Sequence, residues 1–203
     1  MNQELWNRIA DALVDPGYLV LDAALPEELV KGLLSRLNQL EQEGMKPAGV
    51  GRGKDFHQDQ QIRGDHIQWL SNANPKEAAF LCWMDELRLG LNQRLFLGLV
   101  DYESHFAVYS AGSFYQKHLD TFREQARDNR LRRKISTVFY LNQDWKLENA
   151  GELVLYNEAD DHILHSVAPE CGRLVVFISD KFPHEVKAAL QNRRSIAGWF
   201  RSR

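Results

Sequence analysis

Residues 104–203 alternate apolar and polar side chains with a period of two, and this feature constrains the fold most strongly. Such a period is typical of β-strands, because successive side chains of a strand point to opposite faces of the sheet. Turn residues, among them Gly112, Gly172 and Pro183, separate most of the alternating stretches. Short strands at this spacing predict a β-sandwich or a jelly roll. The eight candidates are residues 105–110, 113–120, 134–142, 151–157, 162–168, 172–179, 184–189 and 194–200.

Residues 1–100 are predicted to be mainly helical, with one short strand at residues 17–22. Apolar side chains recur at helical spacing in residues 4–13, 25–44 and 74–95. Between the second and third helices, residues 46–62 are polar and contain glycine, which predicts a long mobile segment. We therefore expect one domain over residues 1–203. Its fold class is mainly β with supporting helices (α+β), in which residues 1–100 support a β core formed by residues 101–203.

The overall charge is nearly balanced, with 25 Lys and Arg against 28 Asp and Glu among 203 residues. A general nucleic-acid-binding protein is more often strongly basic, so this class is disfavoured. The first twenty residues lack a signal-peptide core, and no apolar run approaches the length needed to span a bilayer. We expect a cytoplasmic protein with no membrane partner.

One candidate strand carries a pair of metal-binding side chains, His118 and Asp120, in the stretch YQKHLDTF. Because they are two residues apart on a strand, both point to the same face. His184, at the start of a late strand, is the candidate third ligand of a two-histidine, one-carboxylate metal site with open positions. A second pair of this kind, His57 and Asp59, lies in the polar segment. Chance supplies about one such pair in this composition, so spacing alone does not identify a site.

Arg193 follows His184 by nine residues and is the candidate anion-binding residue. A hairpin near residues 191–192 would return Arg193 to the same side of the fold. A buried guanidinium needs an anionic partner, and its planar fork matches a carboxylate. Two alternatives stay open: Arg194 faces inward instead, or Arg193 lies at an exposed strand edge.

Four ordered stretches resemble the hypoxia-inducible-factor prolyl hydroxylases and their bacterial relatives, which are Fe(II)- and 2-oxoglutarate-dependent dioxygenases. They are IRGDHIQWL (62–70), YQKHLD (115–120), YLNQDW (140–145) and SDKFPHEV (179–186). The resemblance runs from about Arg63 to Phe200. It implies a double-stranded β-helix, which is a form of jelly roll, buttressed by helices.

The resemblance also implies roles for seven residues. The iron ligands would be His118, Asp120 and His184. The co-substrate residues would be Arg193, which binds the distal carboxylate of 2-oxoglutarate, with Tyr140 beside it and Tyr109 and Trp199 in the same pocket.

The implied reaction is hydroxylation of a prolyl residue in a protein substrate, with O₂ consumed, succinate and CO₂ released and ascorbate as a supporting reductant. The bacterial branch includes hydroxylases of elongation factor Tu, and we expect a monomer. Residues 46–62 and 121–134 are predicted to grip the substrate, the first fastened through Asp65 and an arginine. The arginines of the second segment either meet an acidic partner or are solvated: Arg123, Arg127, Arg130, Arg132 and Arg133.

Two other functions stay open at this point. One is the same iron chemistry on a nucleic acid or a small molecule. The other is a metal-binding jelly-roll module without catalytic activity, which would need no Arg193 and would consume no oxygen.

Overall fold

The computed structural model describes residues 3–49, 62–121, 131–157 and 162–203. Within these ranges there are three α-helices: α1 (Gln3–Val14), α2 (Glu27–Glu43) and α3 (Pro75–Leu95). The strands in the same ranges are β1 (Tyr18–Leu21), β2 (Lys46–Pro47), β3 (Asp65–Trp69), β4 (Leu99–Tyr109), β5 (Tyr115–His118), β6 (Arg132–Tyr140), β7 (Leu153–Tyr156), β8 (Ile163–Val167), β9 (Leu174–Ile178), β10 (His184–Val186) and β11 (Arg193–Ser202).

The strands form two antiparallel sheets. The large sheet has seven strands in the order β1-β9-β6-β11-β4-β3-β2, and the small sheet has four in the order β5-β10-β7-β8. Strand β11 pairs with both β4 and β6 along most of its length and so lies at the centre of the large sheet. Chain neighbours are often separated in the sheets, as in a jelly roll. The predicted fold class, mainly β with supporting helices around a jelly roll, is confirmed.

Both faces of the large sheet are buried, because its strands alternate two sets of apolar side chains. In β4, Phe106 and Val108 join the core shared with the three helices, whereas Ala107 and Tyr109 join the core shared with the small sheet. The cavity described below lies on the second side. The helices therefore support the sheet from behind the site, as predicted.

The helices begin where the sequence signals indicate. The Asn74 side chain caps α3 by accepting a hydrogen bond from the backbone N–H of Lys76 at 2.9 Å, and Pro75 occupies the first turn. Helix α2 begins after Pro26. Among the described residues, no helix is both long and apolar enough to cross a membrane.

Several predicted boundaries were wrong. The strand predicted over residues 113–120 ends at His118, so Asp120 lies beyond it. Strand β4 begins at Leu99, before the predicted start of the β region at Ser104, because its first half extends past the site to pair with the end of β11. Strand β10 stops at Val186 instead of residue 189. Strand β6 begins at Arg132, so Arg132 and Arg133 belong to a strand and not to a loop.

The two segments predicted to hold a substrate fall largely outside the described residues. Residues 46–47 of the first form β2, which pairs with β3. Positions 50–61 and 122–130 are not described. The residues named above that lie there are His57, Asp59, Arg123, Arg127 and Arg130.

Candidate metal centre

The three predicted metal ligands lie side by side at one end of the small sheet. His184 in β10 is directly opposite His118 in β5, and Asp120 follows β5 by two residues. The Nε2 atoms of His118 and His184 lie 3.7 and 3.6 Å from the Asp120 carboxylate oxygens Oδ1 and Oδ2. One ligand atom from each residue falls within 4.8 Å of the others. Strand pairing therefore brings together side chains that are far apart in sequence.

Backbone carbonyls orient both imidazole rings. The Nδ1 atom of His118 is 2.8 Å from the Gln116 carbonyl oxygen, and that of His184 is 3.0 Å from the Phe182 carbonyl oxygen. A carbonyl only accepts, so each Nδ1 carries the proton and donates it. The Nε2 lone pairs of both rings are left to face the Asp120 carboxylate. A metal-binding histidine usually donates its other ring N–H to a carbonyl or carboxylate, as each Nδ1 does here.

The local electrostatics favour the protonation states that bind a metal. Burial lowers the pKa of His118 to about 3, with a further contribution from His184. Burial alone would raise the pKa of Asp120, but the neighbouring His184 and His118 hold it well below its usual range. A neutral imidazole and an ionised carboxylate are the forms that coordinate a cation. Two imidazoles and one carboxylate suit Fe(II) with open coordination positions, so the residues present fit this metal.

Arg193 is almost fully buried, with 1% of its side chain exposed. Its Nε donates to the Gly151 carbonyl at 2.8 Å, whereas its contacts with the hydroxyl oxygens of Ser195 and Tyr140 are long, at 3.4 Å each. Within the described part of the chain no carboxylate forms an ion pair with this guanidinium. A buried cation of this kind calls for an anion from outside the chain.

Arg194 points away from the cavity. Its guanidinium pairs with Glu41 of α2, with Nη2 2.6 Å from the carboxylate. Because adjacent residues of a strand face opposite sides, placing Arg193 inside requires Arg194 to face the helices. The alternative left open by the sequence is thereby resolved in favour of Arg193 as the inward residue.

A partly open cavity of about 70 Å³ lies between the two sheets and is lined by the three metal-ligand candidates and Arg193. Tyr109 and Trp199 also line it. Tyr140 lies next to the guanidinium, which is 5.0 Å from its ring centre. Burial raises the pKa of both tyrosines, so their hydroxyls stay protonated. All seven predicted site residues therefore lie in or next to one cavity.

Arg133 was expected either to meet an acidic partner or to be solvated, but the structure places it in an ion pair within the chain. Its Nε is 3.0 Å from Glu103, and its guanidinium lies 3.4 Å from the centre of the Trp199 ring. It also lines the cavity. Membership of β6 explains this position, since a strand residue next to the site cannot extend freely into water.

An ion pair at the mouth of the cavity was anticipated only in part. Asp65 is buried and forms a two-point ion pair with Arg63, at 2.6 and 2.9 Å, so Arg63 is the arginine left unnamed by the sequence. Arg63 also bridges to Tyr115 of β5 and lies 3.5 Å from His105. The ion pair is local, because the two residues are two positions apart, whereas the contacts of Arg63 with Tyr115 and His105 depend on distant parts of the chain meeting. That the pair fastens the preceding segment stays a prediction.

Ser136 is a further residue of the site, which the sequence analysis did not identify although the strand pattern places it on the right face. Its hydroxyl donates to Asp120 Oδ2 at 2.6 Å. In a strand that contains Tyr140, the alternation of side chains places Ser136 and Val138 on the same face. Serine is common on the exposed faces of sheets, so the pattern alone did not single it out.

Comparisons with known proteins agree with this geometry. Residues 104–201 match the family model of the 2OG-Fe(II) oxygenase superfamily. The chain is 40% identical to a prolyl-4-hydroxylase of Pseudomonas putida of known structure, covering 98% of this chain and all of that one, with a TM-score of 0.85. It is 29% identical to the mouse prolyl hydroxylase EGLN3 over 95% of this chain and 81% of that protein.

A more distant solved structure is a prolyl hydroxylase from Trichoplax adhaerens, in complex with a peptide fragment of the hypoxia inducible factor oxygen degradation domain. It is 26% identical, covers 98% of this chain and 90% of that one, and has a TM-score of 0.84. Enzymes of the matched family use Fe(II), 2-oxoglutarate and O₂. The chain therefore belongs to the 2OG-Fe(II) oxygenase superfamily and, within it, to the prolyl hydroxylases.

Proposed function

We propose that the chain hydroxylates a prolyl residue of a protein substrate at the cavity between its two sheets. The observation that carries the proposal is the buried Arg193 guanidinium, which has no carboxylate partner in the described chain and shares its cavity with His118, Asp120 and His184. A cation and a metal site in one cavity suit a ligand with a carboxylate at each end.

In this proposal, His118, Asp120 and His184 hold Fe(II) through two imidazole nitrogens and one carboxylate. When bound, the iron supplies the redox chemistry that couples O₂ reduction to the conversion of 2-oxoglutarate into succinate and CO₂ and to the hydroxylation of the proline. Ascorbate supports this chemistry as a reductant. His118 remains neutral because burial disfavours its charged form, as its lowered pKa indicates.

Arg193 binds the carboxylate of 2-oxoglutarate that is distant from the metal. Its Nη atoms lie at long distances from the Ser195 and Tyr140 hydroxyls, which leaves donor capacity for an incoming anion. Tyr140 donates its hydroxyl proton to the same carboxylate, because its raised pKa keeps it protonated. Tyr109 lies opposite Arg193 in β4, and Trp199 forms a further wall of the pocket.

The substrate is proposed to be a protein segment that enters from the open side of the cavity. The complex of the Trichoplax relative with a peptide fragment supports this class of substrate. The resemblance to bacterial hydroxylases makes elongation factor Tu the first protein to test. The chain is proposed to act as a monomer.

The test is to incubate the purified chain with Fe(II), 2-oxoglutarate, ascorbate and purified elongation factor Tu, followed by peptide mass spectrometry and a succinate assay. The expected result is a gain of one oxygen atom on a single proline, with succinate formed in step. The H118A variant should give neither product. The candidate protein substrates also include those of a whole-cell extract. The proposal would be contradicted if a methylated oligonucleotide led to succinate formation and none of the protein substrates did.

A further inference from the structure

Each candidate metal ligand forms a hydrogen bond with a neighbouring group that fixes its orientation. In only one of the three is that group a side chain. His118 and His184 are fixed by the backbone carbonyls of Gln116 and Phe182. Asp120 is fixed by the Ser136 hydroxyl, at 2.6 Å from Oδ2. The carboxylate is therefore the ligand whose orientation depends on the identity of a neighbouring residue.

The Ser136 hydroxyl is itself held by a second serine. Its oxygen lies 2.8 Å from the Ser179 hydroxyl oxygen, and the two serines are 1% and 0% exposed. An ionised carboxylate only accepts hydrogen bonds, so the single hydroxyl proton of Ser136 goes to Asp120. Ser179 must then donate to Ser136. The three groups form a chain with one direction, Ser179 to Ser136 to Asp120.

The backbones of the two serines are held by hydrogen bonds between β6 and β9, whereas Asp120 lies outside a strand. Ser136 lies within β6, opposite Phe177 in β9, and Ser179 directly follows β9, where its backbone N–H donates to the Lys134 carbonyl at 3.1 Å. Asp120, in contrast, lies two residues beyond the end of β5. The serine pair thus connects the carboxylate to the large sheet.

We propose that Ser136, oriented by Ser179, is a positioning residue that sets the rotation of the Asp120 carboxylate and thereby the affinity of the site for its metal. The inference rests on the proposed function, because it presumes that Asp120 binds the metal. Carboxylates bind cations through either one or two oxygens. A carboxylate with Oδ2 bonded to a serine hydroxyl resists rotating to use both. Ser136 thereby helps to keep coordination positions open for the co-substrate.

The test measures Mn(II) binding to the metal-free protein under anaerobic conditions, by calorimetric titration, with no turnover required. Removing a residue that is hydrogen-bonded to a metal ligand typically lowers the affinity for the metal by about 10- to 100-fold. We expect S136A to weaken Mn(II) binding by at least about tenfold and S179A by about threefold, because S179A leaves the Ser136 to Asp120 bond in place. S136T, which retains a hydroxyl, should restore affinity to within about threefold of the wild type.

The matched control is S202A, which removes a buried serine hydroxyl at the far end of β11, where its contact is the Arg203 carbonyl. It should bind Mn(II) like the wild type. If S136A does not fold, the comparison moves to S136C and S136T, since a thiol fills similar space but is a weak donor.

The outcomes separate this inference from the proposed function. If the wild type and D120A bind Mn(II) equally well, Asp120 is not a metal ligand and the proposed site is wrong. If D120A loses binding but a folded S136A retains wild-type affinity, the metal site stands and the role of Ser136 is refuted. Equal affinity of S136C and S136T would refute it in the same way.

Discussion

At the scale of single residues, Arg193 and Arg194 show how strand geometry assigns different roles to identical side chains. Both begin β11, yet one lies in the cavity and the other pairs with Glu41 of α2. Variants of these two adjacent arginines can therefore be compared to separate the effect of facing the cavity from the effect of losing an arginine.

We expect R193M to raise the KM for 2-oxoglutarate by about 100-fold, because the far carboxylate loses charge-assisted hydrogen bonds that are each worth about 1.5–3 kcal/mol. R194M should leave this KM unchanged and lower thermal stability slightly, since it breaks a partly exposed ion pair. Steady-state kinetics with varied 2-oxoglutarate give the answer. An equal rise in KM for both variants would contradict the assignment.

His105 is a second residue with a measurable consequence. It is 2% exposed, and burial together with the charge of Arg63 lowers its pKa to about 4, from an ordinary value of 6.5. Between these two values the unfolded chain takes up a proton at this position and the folded chain does not. Acidification therefore lowers the free energy of unfolding.

Going from pH 7 to pH 5, His105 should account for about 2 kcal/mol of lost stability. The H105Q variant removes the titrating group and should reduce the loss by that amount in urea unfolding at the two pH values. H162Q, which replaces an exposed histidine, is the matched control and should retain the full loss. An unchanged pH dependence in H105Q would show that His105 is not the group responsible.

The extent to which the site could be predicted differs from residue to residue. The spacing of His118 and Asp120, and the later positions of His184 and Arg193, are properties of the sequence, but the structure places Asp120 beyond the end of β5. The contacts of Ser136 with Ser179 and of Arg133 with Trp199 arise only when distant strands meet. The period of a strand fixes which face a side chain occupies, but not which neighbour it finds there.

At the scale of elements, the central strand β11 tolerates little change in volume. A Cβ atom at Gly198 would collide with the Tyr102 side chain, whose hydroxyl is bonded to Thr137 at 2.8 Å. The absence of a side chain at Gly198 therefore leaves room for the Tyr102 side chain to reach Thr137, next to Trp199 in the pocket wall.

We expect G198A to lower the free energy of unfolding by about 1–3 kcal/mol through overpacking. G32A in α2 is the control: a Cβ there has ordinary contacts with Lys76, and alanine favours a helix over glycine by about 0.5–1 kcal/mol. Urea unfolding should thus shift in opposite directions for the two variants. A stabilising G198A would contradict the close packing.

The helices were the more predictable elements because their signals are local. Asn74 and Pro75 at the start of α3 act within one turn, so they are evident in the sequence. The beginning of β4 at Leu99 was not evident, because its first residues are defined by pairing with the distant end of β11. The prediction of a single domain spanning residues 1–203 stays a prediction.

At the scale of the whole molecule, the two sheets contribute different parts of the proposed site. His118 and His184 belong to the small sheet and Asp120 lies two residues beyond β5, whereas Arg193 belongs to the large sheet. A co-substrate bound to both the metal and Arg193 would connect the sheets.

We therefore expect Mn(II) and 2-oxoglutarate together to raise the melting temperature by more than the sum of their separate effects. A ligand that binds only the folded state stabilises it by an amount that grows with the logarithm of the ligand concentration divided by its Kd. In a shared site, each ligand would also increase the affinity for the other. Differential scanning fluorimetry with no ligand, either ligand and both ligands measures the effect. R193M should lose the excess but keep the shift caused by Mn(II) alone. Strictly additive shifts in the wild type would contradict a shared site.

The pairing of β5 with β10 also has a consequence for how the protein is made. A chain still on the ribosome, with β5 outside but β10 and β11 not yet synthesised, has His118 and Asp120 without His184 or Arg193. Two ligands hold ferrous ions too weakly to compete with the rest of the cell. We therefore expect the site to bind a metal only after β10 and β11 have been synthesised.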